Sequence, residues 1–208
     1  MTDAIAERRF TPKGAATRER IVKAAAELIA RNGVAGTSTE DVRRSAGVSG
    51  SQLYHYFDGK QALIRAVITR QADAMAEPDG SPPLGALDSF EAIRAWAEAA
   101  IERQQQTIGA PDCELSTLAG ELGSTDDGAR REIASGFLRW QRTLVGGLAA
   151  MRDRGELAQS ADLDELAFVL LAALQGGQLL TRTLLDTAGL RAAMRAAVAY
   201  VESFATER

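Results

Sequence analysis

Residues 46–57 read Ala-Gly-Val-Ser-Gly-Ser-Gln-Leu-Tyr-His-Tyr-Phe, and this stretch decides the fold of the N-terminal part of the chain. Gly47 is of the residue type that ends a helix, because glycine adopts the left-handed conformation at little cost. Ser49 then begins a new helix almost at once, with Gln52 placed to complete a capping box. The stretch therefore predicts two helices separated by a tight glycine turn, the second of them about two turns long.

The residues on either side extend this pattern. Apolar side chains recur at helical spacing in residues 17–31, which predicts an amphipathic helix that stops at an Asn-Gly pair. Ser38 has Asp41 three positions on, and this pair predicts the start of a second, short helix that ends at Gly47. A fourth helix is predicted to begin near Lys60. Two short helices around a glycine turn, supported by a longer helix, are typical of the helix-turn-helix motif.

The third helix has a polar outer face. Its exposed positions carry hydrogen-bonding side chains and no carboxylate: Ser49, Ser51, Gln52, Tyr54, His55 and Tyr56. Hydroxyl groups and a helix N-terminus bind phosphate oxygens, and a glutamine amide can pair with an adenine edge in the major groove. A polar face on a short helix is also often only solvated. We favour contact with DNA, because two aromatic hydroxyl groups on a merely solvated face would need another explanation.

Residues 17–67 resemble the DNA-binding domain of the tetracycline-repressor (TetR) family. The resemblance rests on residues 46–49 (Ala-Gly-Val-Ser), residues 53–57 (Leu-Tyr-His-Tyr-Phe) and the pair at 59–60 (Gly-Lys), all at the family's spacing. It implies phosphate contacts from six residues: Ser38, Ser49, Tyr54, His55, Tyr56 and Lys60. It also implies that three residues face base edges: Gly50, Ser51 and Gln52.

Some positions depart from the family's pattern. Thr39 and Arg43 stand where the family often has an apolar residue and an alanine. Arg43 either adds a phosphate contact or tilts the second helix. Gly50 has no side chain, so base recognition would rest on Ser51 and Gln52 and, in part, on the shape of the DNA.

Charge is distributed unevenly along the chain, whose net charge is -4. Residues 1–60 contain 10 Lys and Arg against 7 Asp and Glu, whereas residues 61–208 contain 14 against 21. We expect a basic helix-turn-helix domain at residues 17–60 beside a larger acidic domain at residues 61–208. Residues 1–16 are predicted to be a flexible basic arm, which is either a disordered tail or a segment that follows the DNA groove. The basic residues of this arm are Arg8, Arg9 and Lys13.

The C-terminal two thirds of the chain are also predicted to be helical. No proline follows Pro111, and no segment alternates apolar and polar residues for long enough to predict a strand, so the fold class is all-α. Apolar stripes at helical spacing surround Trp96, Trp140 and Met194. Residues 163–180 are apolar on nearly every side, which predicts a helix that is buried all round. The resemblance implies that the last two long helices join two copies of the chain in a four-helix bundle, so a homodimer is expected.

Gly176 and Gly177 lie inside this apolar helix, where each glycine costs about 1 kcal/mol relative to alanine. Such a pair allows another backbone to approach closely. Three neighbours are compatible with the sequence: a helix of the partner subunit, the wall of a ligand pocket, or a helix of the same chain.

A small-molecule pocket is predicted in the C-terminal domain. Sites of this kind are mostly apolar, with a few polar groups that orient the ligand. The predicted ligand-binding residues are Trp96, Cys113, Phe137, Trp140, Gln141, Leu144, Leu174 and Gln178. The alternative is a plain hydrophobic core with the glutamines at an interface. Residues 113–122 are similar to a Cys-x-x-x-x-Leu-Ala-x-Glu-Leu pattern of a subgroup of TetR-like regulators, and we expect Cys113 to be buried rather than to act as a redox sensor.

Other functional classes find little support in the sequence. The chain has one His, which lies in the third helix, and one Cys, and it has no glycine-rich phosphate loop or metal-ligand cluster. We therefore expect no enzyme activity, catalytic residue, metal or cofactor. The longest apolar run, residues 166–174, is shorter than the roughly 20 residues that cross a bilayer. With no secretion signal either, a cytoplasmic location without membrane contact is expected.

The predicted function is a sequence-specific DNA-binding transcriptional regulator. By resemblance it is a repressor, bound to double-stranded operator DNA and released by a partly apolar small-molecule effector. The alternative is an architectural DNA-binding protein that binds no ligand.

Overall fold

A computed structural model describes residues 10–76, 87–110 and 115–206. These residues form helices α1 (Pro12–Asn32), α2 (Thr39–Ala46), α3 (Gly50–Tyr56), α4 (Gly59–Ala76), α5 (Phe90–Gln106), α6 (Leu115–Leu122), α7 (Asp127–Asp153), α8 (Leu163–Leu184) and α9 (Ala188–Glu202). Within the three described stretches there is no β-strand, only an isolated bridge between Leu157 and Ala205. The all-α class predicted from the sequence is confirmed. Cys113 and residues 1–9 of the predicted arm lie outside the described residues.

Local signals set the ends of α2 and α3 as predicted. Ser38 Oγ accepts a hydrogen bond from the Asp41 amide at 3.1 Å, and the Asp41 carboxylate accepts one from the Ser38 amide at 3.3 Å. Gly47 ends α2 in the left-handed conformation, with φ of 62°. Ser49 and Gln52 form the same reciprocal pair at the start of α3. The predicted helix-turn-helix arrangement is confirmed.

α1 begins at Pro12, earlier than predicted. Thr11 caps the helix, since its Oγ1 accepts a hydrogen bond from the Gly14 amide at 3.2 Å. Proline is favoured in the first turn, where its missing N–H would have no helical partner in any case. Lys13 is therefore an exposed residue of α1, and the helix start predicted at residue 17 is wrong.

α4 joins the three-helix unit of α1, α2 and α3 to the C-terminal domain. On one side, Arg70 of α4 forms an ion pair with Glu19 of α1 at 2.8 Å. On the other side, the indole Nε1 of Trp140 in α7 donates a buried hydrogen bond at 2.7 Å to the carbonyl oxygen of Ala72. Exposed ion pairs contribute little to stability, whereas a buried polar group that loses its partner costs about 1–3 kcal/mol. The buried hydrogen bond to α7 therefore holds α4 more firmly than the ion pair to α1 does.

α8 is not buried all round, so this prediction is wrong for the single chain. One side packs on α7 and α9. The other side leaves a row of residues exposed at four-residue spacing: Phe168, Ala172, Gly176, Leu180 and Leu184. Leu184 is 64% exposed and Phe168 is 50% exposed. By length and composition α8 could cross a membrane, and 44% of its most apolar window is buried inside the protein.

Gly177 and Gly176 lie on different sides of α8. A methyl group at position 177 would lie 2.7 Å from the Cα of Leu190 in α9, well inside contact distance. At position 176 a methyl group would meet no atom of the chain within 4 Å. Gly177 therefore allows α8 and α9 of the same chain to pack closely, whereas Gly176 lies in the exposed row.

The substitution Gly177→Ala is expected to lower the free energy of unfolding by about 1–3 kcal/mol, because the added methyl group would push α8 and α9 apart. Gly146→Ala in α7 is the matched control, since a methyl group there meets no atom within 4 Å. The control should gain about 0.5–1 kcal/mol from helix propensity. Urea unfolding followed by circular dichroism measures both values, and equal stability of the two variants would contradict the close approach at Gly177.

Candidate nucleic-acid interface

α3 is seven residues long and is held in place from one side. Leu53 is buried in the core, and Phe57, directly after the helix, is buried four positions further on. Residues at this spacing lie on one face of a helix. The remaining surface of α3 is exposed, with Ser51 and Gln52 accessible and Tyr54 65% exposed. The packing of Leu53 thus turns the predicted contact residues outward.

The side chain of Gln52 has a structural role at the start of α3. Its Oε1 accepts a hydrogen bond from the Ser49 amide at 2.9 Å, while Ser49 Oγ accepts one from the Gln52 amide at 3.1 Å. A two-point contact with adenine uses both the oxygen and the nitrogen of the glutamine amide. Because Oε1 is already bonded within the chain, the cap and a two-point base contact compete, and Nε2 is the atom that can donate to a base while the cap stays intact.

The other two residues predicted to face base edges are small. Ser51 Oγ lies 2.9 Å from Ser49 Oγ, so the first turn of α3 presents a pair of hydroxyl groups. A methyl group at Gly50 would meet no atom of the chain within 4 Å. Packing within the chain does not require glycine there, and Gly50 leaves the start of α3 open to close approach by another molecule.

Tyr56 joins the end of α3 to the start of α1. Its ring centroid lies 5.2 Å from that of Phe10 and 5.0 Å from that of His55, in tilted and edge-on arrangements. Aromatic pairs at such distances are worth about 0.5–1.5 kcal/mol beyond the area that they bury. Tyr56 is therefore a packing residue as well as a predicted phosphate contact. Sequence reasoning missed Phe10, because no helical period relates it to α3.

Arg43 braces α2 against the turn that precedes α3. Its guanidinium makes two hydrogen bonds to the carboxylate of Glu40, at 2.5 and 2.8 Å, and its Nη1 donates to the carbonyl oxygen of Val48 at 3.4 Å. The bonds to Glu40 hold the pKa of that carboxyl below its ordinary value, since they favour the ionised form. Because Glu40 already binds its guanidinium group, Arg43 is better suited to setting the orientation of α2 than to contacting a phosphate.

Lys60 and Ser38 lie at the starts of α4 and α2. Among the described residues, no carboxylate forms an ion pair with Lys60, which lies in the first turn of α4. Its positive charge suits a phosphate. Ser38 is exposed, but its hydroxyl donates to the carboxylate of Asp41 at 2.5 Å, and this bond is the main reason that the pKa of Asp41 is lowered.

The predicted ligand-binding residues lie in and around the core of the C-terminal domain. The residues that are almost fully buried are Trp96, Trp140, Leu144 and Leu174. Phe137 is half-buried and meets the Trp140 ring edge-on, with centroids 5.2 Å apart. Gln141 donates to the carboxylate of Asp164, and Gln178 accepts a hydrogen bond from Gln175 at 3.0 Å. These contacts favour a packed core whose glutamines are already bonded, and contact of these residues with a ligand stays a prediction.

A cavity of about 870 Å³ lies at a different place, between the end of α1, the turn after α5, α6 and α8. None of the predicted ligand-binding residues lines the described part of its wall. Sequence reasoning could not find this cavity, because three segments far apart in the chain form it. Among the described residues, no group of three His, Cys, Asp or Glu side chains could hold a metal ion.

Comparison with known proteins covers both parts of the chain. The sequence profile of the bacterial regulatory proteins of the tetR family matches residues 21–67, and that of the tetracyclin repressor-like C-terminal domain matches residues 89–197. The HTH-type transcriptional repressor BepR of Brucella suis biovar 1 (strain 1330) is 29% identical over 178 residues, which are 81% of this chain and 82% of that protein. The HTH-type transcriptional regulator SrpR of Pseudomonas putida is 35% identical over 77 residues, which are 37% of this chain and 36% of that protein.

A solved structure has the same fold. The TetR transcriptional regulator from Chloroflexus aurantiacus J-10-FL superposes with a TM-score of 0.76 at 24% identity, and the match covers 94% of this chain and 98% of that one. At this identity the likeness shows the fold alone.

Because Gln52 caps α3, substitutions at this position can distinguish an effect on the stability of the fold from an effect on nucleic-acid binding. Gln52→Ala removes the acceptor for the Ser49 amide and should lower the free energy of unfolding by about 0.5–1 kcal/mol. Gln52→Glu keeps an acceptor and adds a negative charge near the helix N-terminus, so its stability should match or exceed that of the wild type. The same charge should weaken binding to any DNA duplex. Urea unfolding and fluorescence anisotropy with a labelled duplex measure the two effects, and wild-type stability of Gln52→Ala would exclude the capping role.

Proposed function

The chain belongs to the tetR family of bacterial regulatory proteins, and from this premise we propose that it is a dimeric repressor that leaves its operator when a small molecule binds. The observation that carries the proposal is the position of α3, whose inner face is fixed by Leu53 while its outer face is exposed. Residues 49–57 contain no carboxylate, so α3 itself places no negative charge against a DNA backbone. No observation favours an architectural protein without a ligand.

The residues of the interface would divide between two kinds of contact. Phosphate contacts set the position of a protein on DNA, and base-edge contacts specify the sequence. Lys60 and the exposed hydroxyl of Tyr54 would supply phosphate contacts, as would Ser49. Ser51 and the Nε2 of Gln52 would meet base edges. Since only these two small polar groups would contact base edges, part of the sequence specificity would come from DNA shape.

A second copy of the chain would cover the exposed row on α8, which runs from Phe168 to Leu184. Contiguous exposed apolar surface on a helix marks an interaction site. Gly176 lies in the middle of the row and would let the partner helix approach. A symmetric pair of subunits would present two α3 helices to half-sites roughly 34–36 Å apart along the DNA, or a multiple of this distance.

α4 would carry the signal from an effector to the DNA. It is bonded to α7 through Ala72 and to α1 through Arg70, so a change in its tilt would alter the separation of the two α3 helices. The effector must bind the DNA-incompetent arrangement more tightly, because equal affinity for both states shifts nothing. The protein would act in the cytoplasm, where its operator DNA lies, and without a catalytic step.

Lys60→Ala should weaken binding to all duplexes alike and reduce the slope of log K against log salt by about one, because one phosphate contact is lost. Gln52→Ala should instead change which bases are preferred. Fluorescence anisotropy at several salt concentrations, with duplexes selected from a random pool by the wild type, measures both effects. Arg195→Ala, an exposed position on α9, is the control and should leave slope and preference unchanged. An unchanged slope for Lys60→Ala would rule out its phosphate contact.

The double substitution Leu180→Glu and Leu184→Glu should convert the dimer to monomers, because it places charges where the partner helix would pack. Sedimentation velocity measures the change. Leu138→Glu is the control, since Leu138 is 48% exposed but lies on α7, outside the row. A dimer that persists in the double variant would show that another surface joins the subunits.

A further inference from the structure

Tyr56, the last residue of α3, is the point where this helix meets the start of α1. Tyr56 is half-buried, and its ring lies 5.2 Å from the ring of Phe10, with an angle of 55° between the two planes. The ring of His55 meets it edge-on at 5.0 Å. Both contacts are made by the Tyr56 ring, and neither uses the capacity of its hydroxyl group to form hydrogen bonds.

Phe10 is fixed in the place where it makes this contact. It directly precedes Thr11, whose Oγ1 and carbonyl oxygen accept hydrogen bonds from the amides of Gly14 and Ala15 at 3.2 and 2.8 Å. These two bonds set the path of the backbone next to Phe10. The Phe10 ring, itself half-buried, therefore belongs to a capped helix start and can hold the Tyr56 ring in one position.

The hydroxyl group of Tyr56 lies against the first turn of α1. A methyl group added at Gly14 would lie 3.5 Å from the hydroxyl oxygen. This turn contains no acidic residue in the sequence, and its Lys13 is exposed. The surroundings of the hydroxyl group thus carry positive charge, which suits an approaching DNA phosphate, and tyrosine is among the residues that donate to phosphate oxygens.

The core contacts of α3 do not by themselves fix the Tyr56 side chain. Burial of Leu53 and Phe57 sets the direction of the helix, but it leaves the Tyr56 side chain free to rotate about its own bonds. The contact with Phe10 restricts that rotation. Ordering a mobile side chain is one of the costs of association, and a ring that is held in advance avoids part of this cost.

We propose that Phe10 is a positioning residue for DNA binding, which holds the ring of Tyr56 so that the Tyr56 hydroxyl group meets a backbone phosphate. Phe10 touches no DNA and acts through Tyr56. The hydrogen bond goes to the DNA backbone, so it adds affinity for every sequence alike. This inference rests on the proposed function, because it requires that the protein binds DNA.

A double-mutant cycle tests this role by fluorescence anisotropy, on a labelled duplex that the wild type selects from a random pool. Phe10→Ala should weaken binding about threefold for each half-site, and thus about tenfold for a dimer on a full operator. Tyr56→Phe keeps the ring, removes the hydroxyl group and should weaken binding at least as much. In the Tyr56→Phe background, Phe10→Ala should have no further effect, because the group that Phe10 positions is absent.

The salt dependence and two further variants separate positioning from other roles. Phe10→Ala should leave the slope of log K against log salt unchanged, because a neutral hydroxyl group releases no counterions. Phe10→Tyr keeps an aromatic ring and should bind DNA like the wild type. Phe90→Ala is the matched control, since Phe90 is also half-buried at the start of a helix but lies on α5. Its DNA affinity should equal that of the wild type, and circular dichroism shows that each variant is folded.

Additive losses from Phe10→Ala and Tyr56→Phe would overturn the proposal, as would wild-type affinity of either variant. A smaller salt slope in Phe10→Ala would also overturn it, because Phe10 would then act on a charged group. Equal losses from Phe10→Tyr and Phe10→Ala would exclude the ring contact as the cause. If the wild type binds no duplex, the proposed function fails together with this inference, whereas additive losses in a protein that binds DNA sink this inference alone.

Discussion

A helix of seven residues is too short to be stable alone, so α3 exists only because its neighbours hold it. Ser49 and Gln52 satisfy the backbone at its start, and Leu53 fixes its inner face in the core. Gly47 sets the change of direction between α2 and α3, because its φ of 62° suits glycine. Contact with DNA depends on this arrangement, since only a helix whose outer face has a fixed direction can enter a groove in register.

Two hydrogen-bonded links join the DNA-binding unit, formed by α1, α2 and α3, to the C-terminal domain. The link through α4 includes the buried hydrogen bond from the Trp140 indole to Ala72, which is costly to break and moves α4 and α7 together. The link through α6 is the hydrogen bond that the Val34 amide donates to the Glu121 carboxylate at 2.6 Å, a part-buried and charge-assisted contact. Two arrangements of the units would differ at both links. A ligand shifts the balance between such arrangements only by the difference in its affinity for them.

The DNA-binding unit could be predicted from the sequence because its signals are local. The caps at Ser38 and Ser49 and the glycine stop at Gly47 each involve residues within a few positions of one another. Contacts between distant segments could not be predicted in the same way, and the tilted ring contact of Phe10 with Tyr56 is an example. The capping role of Gln52 was predicted from the same local pattern, and the structure adds that Oε1 is the atom of its amide that accepts the bond.

The C-terminal domain was harder to predict, because bulky apolar side chains and amides suit a core and a ligand pocket equally well. Trp140 and Gln141 prove to be bonded to neighbouring helices, and the cavity lies beside Arg182 instead. The apolar composition of α8 shows that it must be covered but not by which chain.

Hydroxyl-radical footprinting of the protein on DNA selected for binding tests the central claim, that two copies of α3 are presented to the DNA as a symmetric pair. The account predicts two protected half-sites related by two-fold symmetry, with centres about 10–10.5 base pairs or a multiple of that apart. Protection without that symmetry, or no protection at low salt, would contradict it.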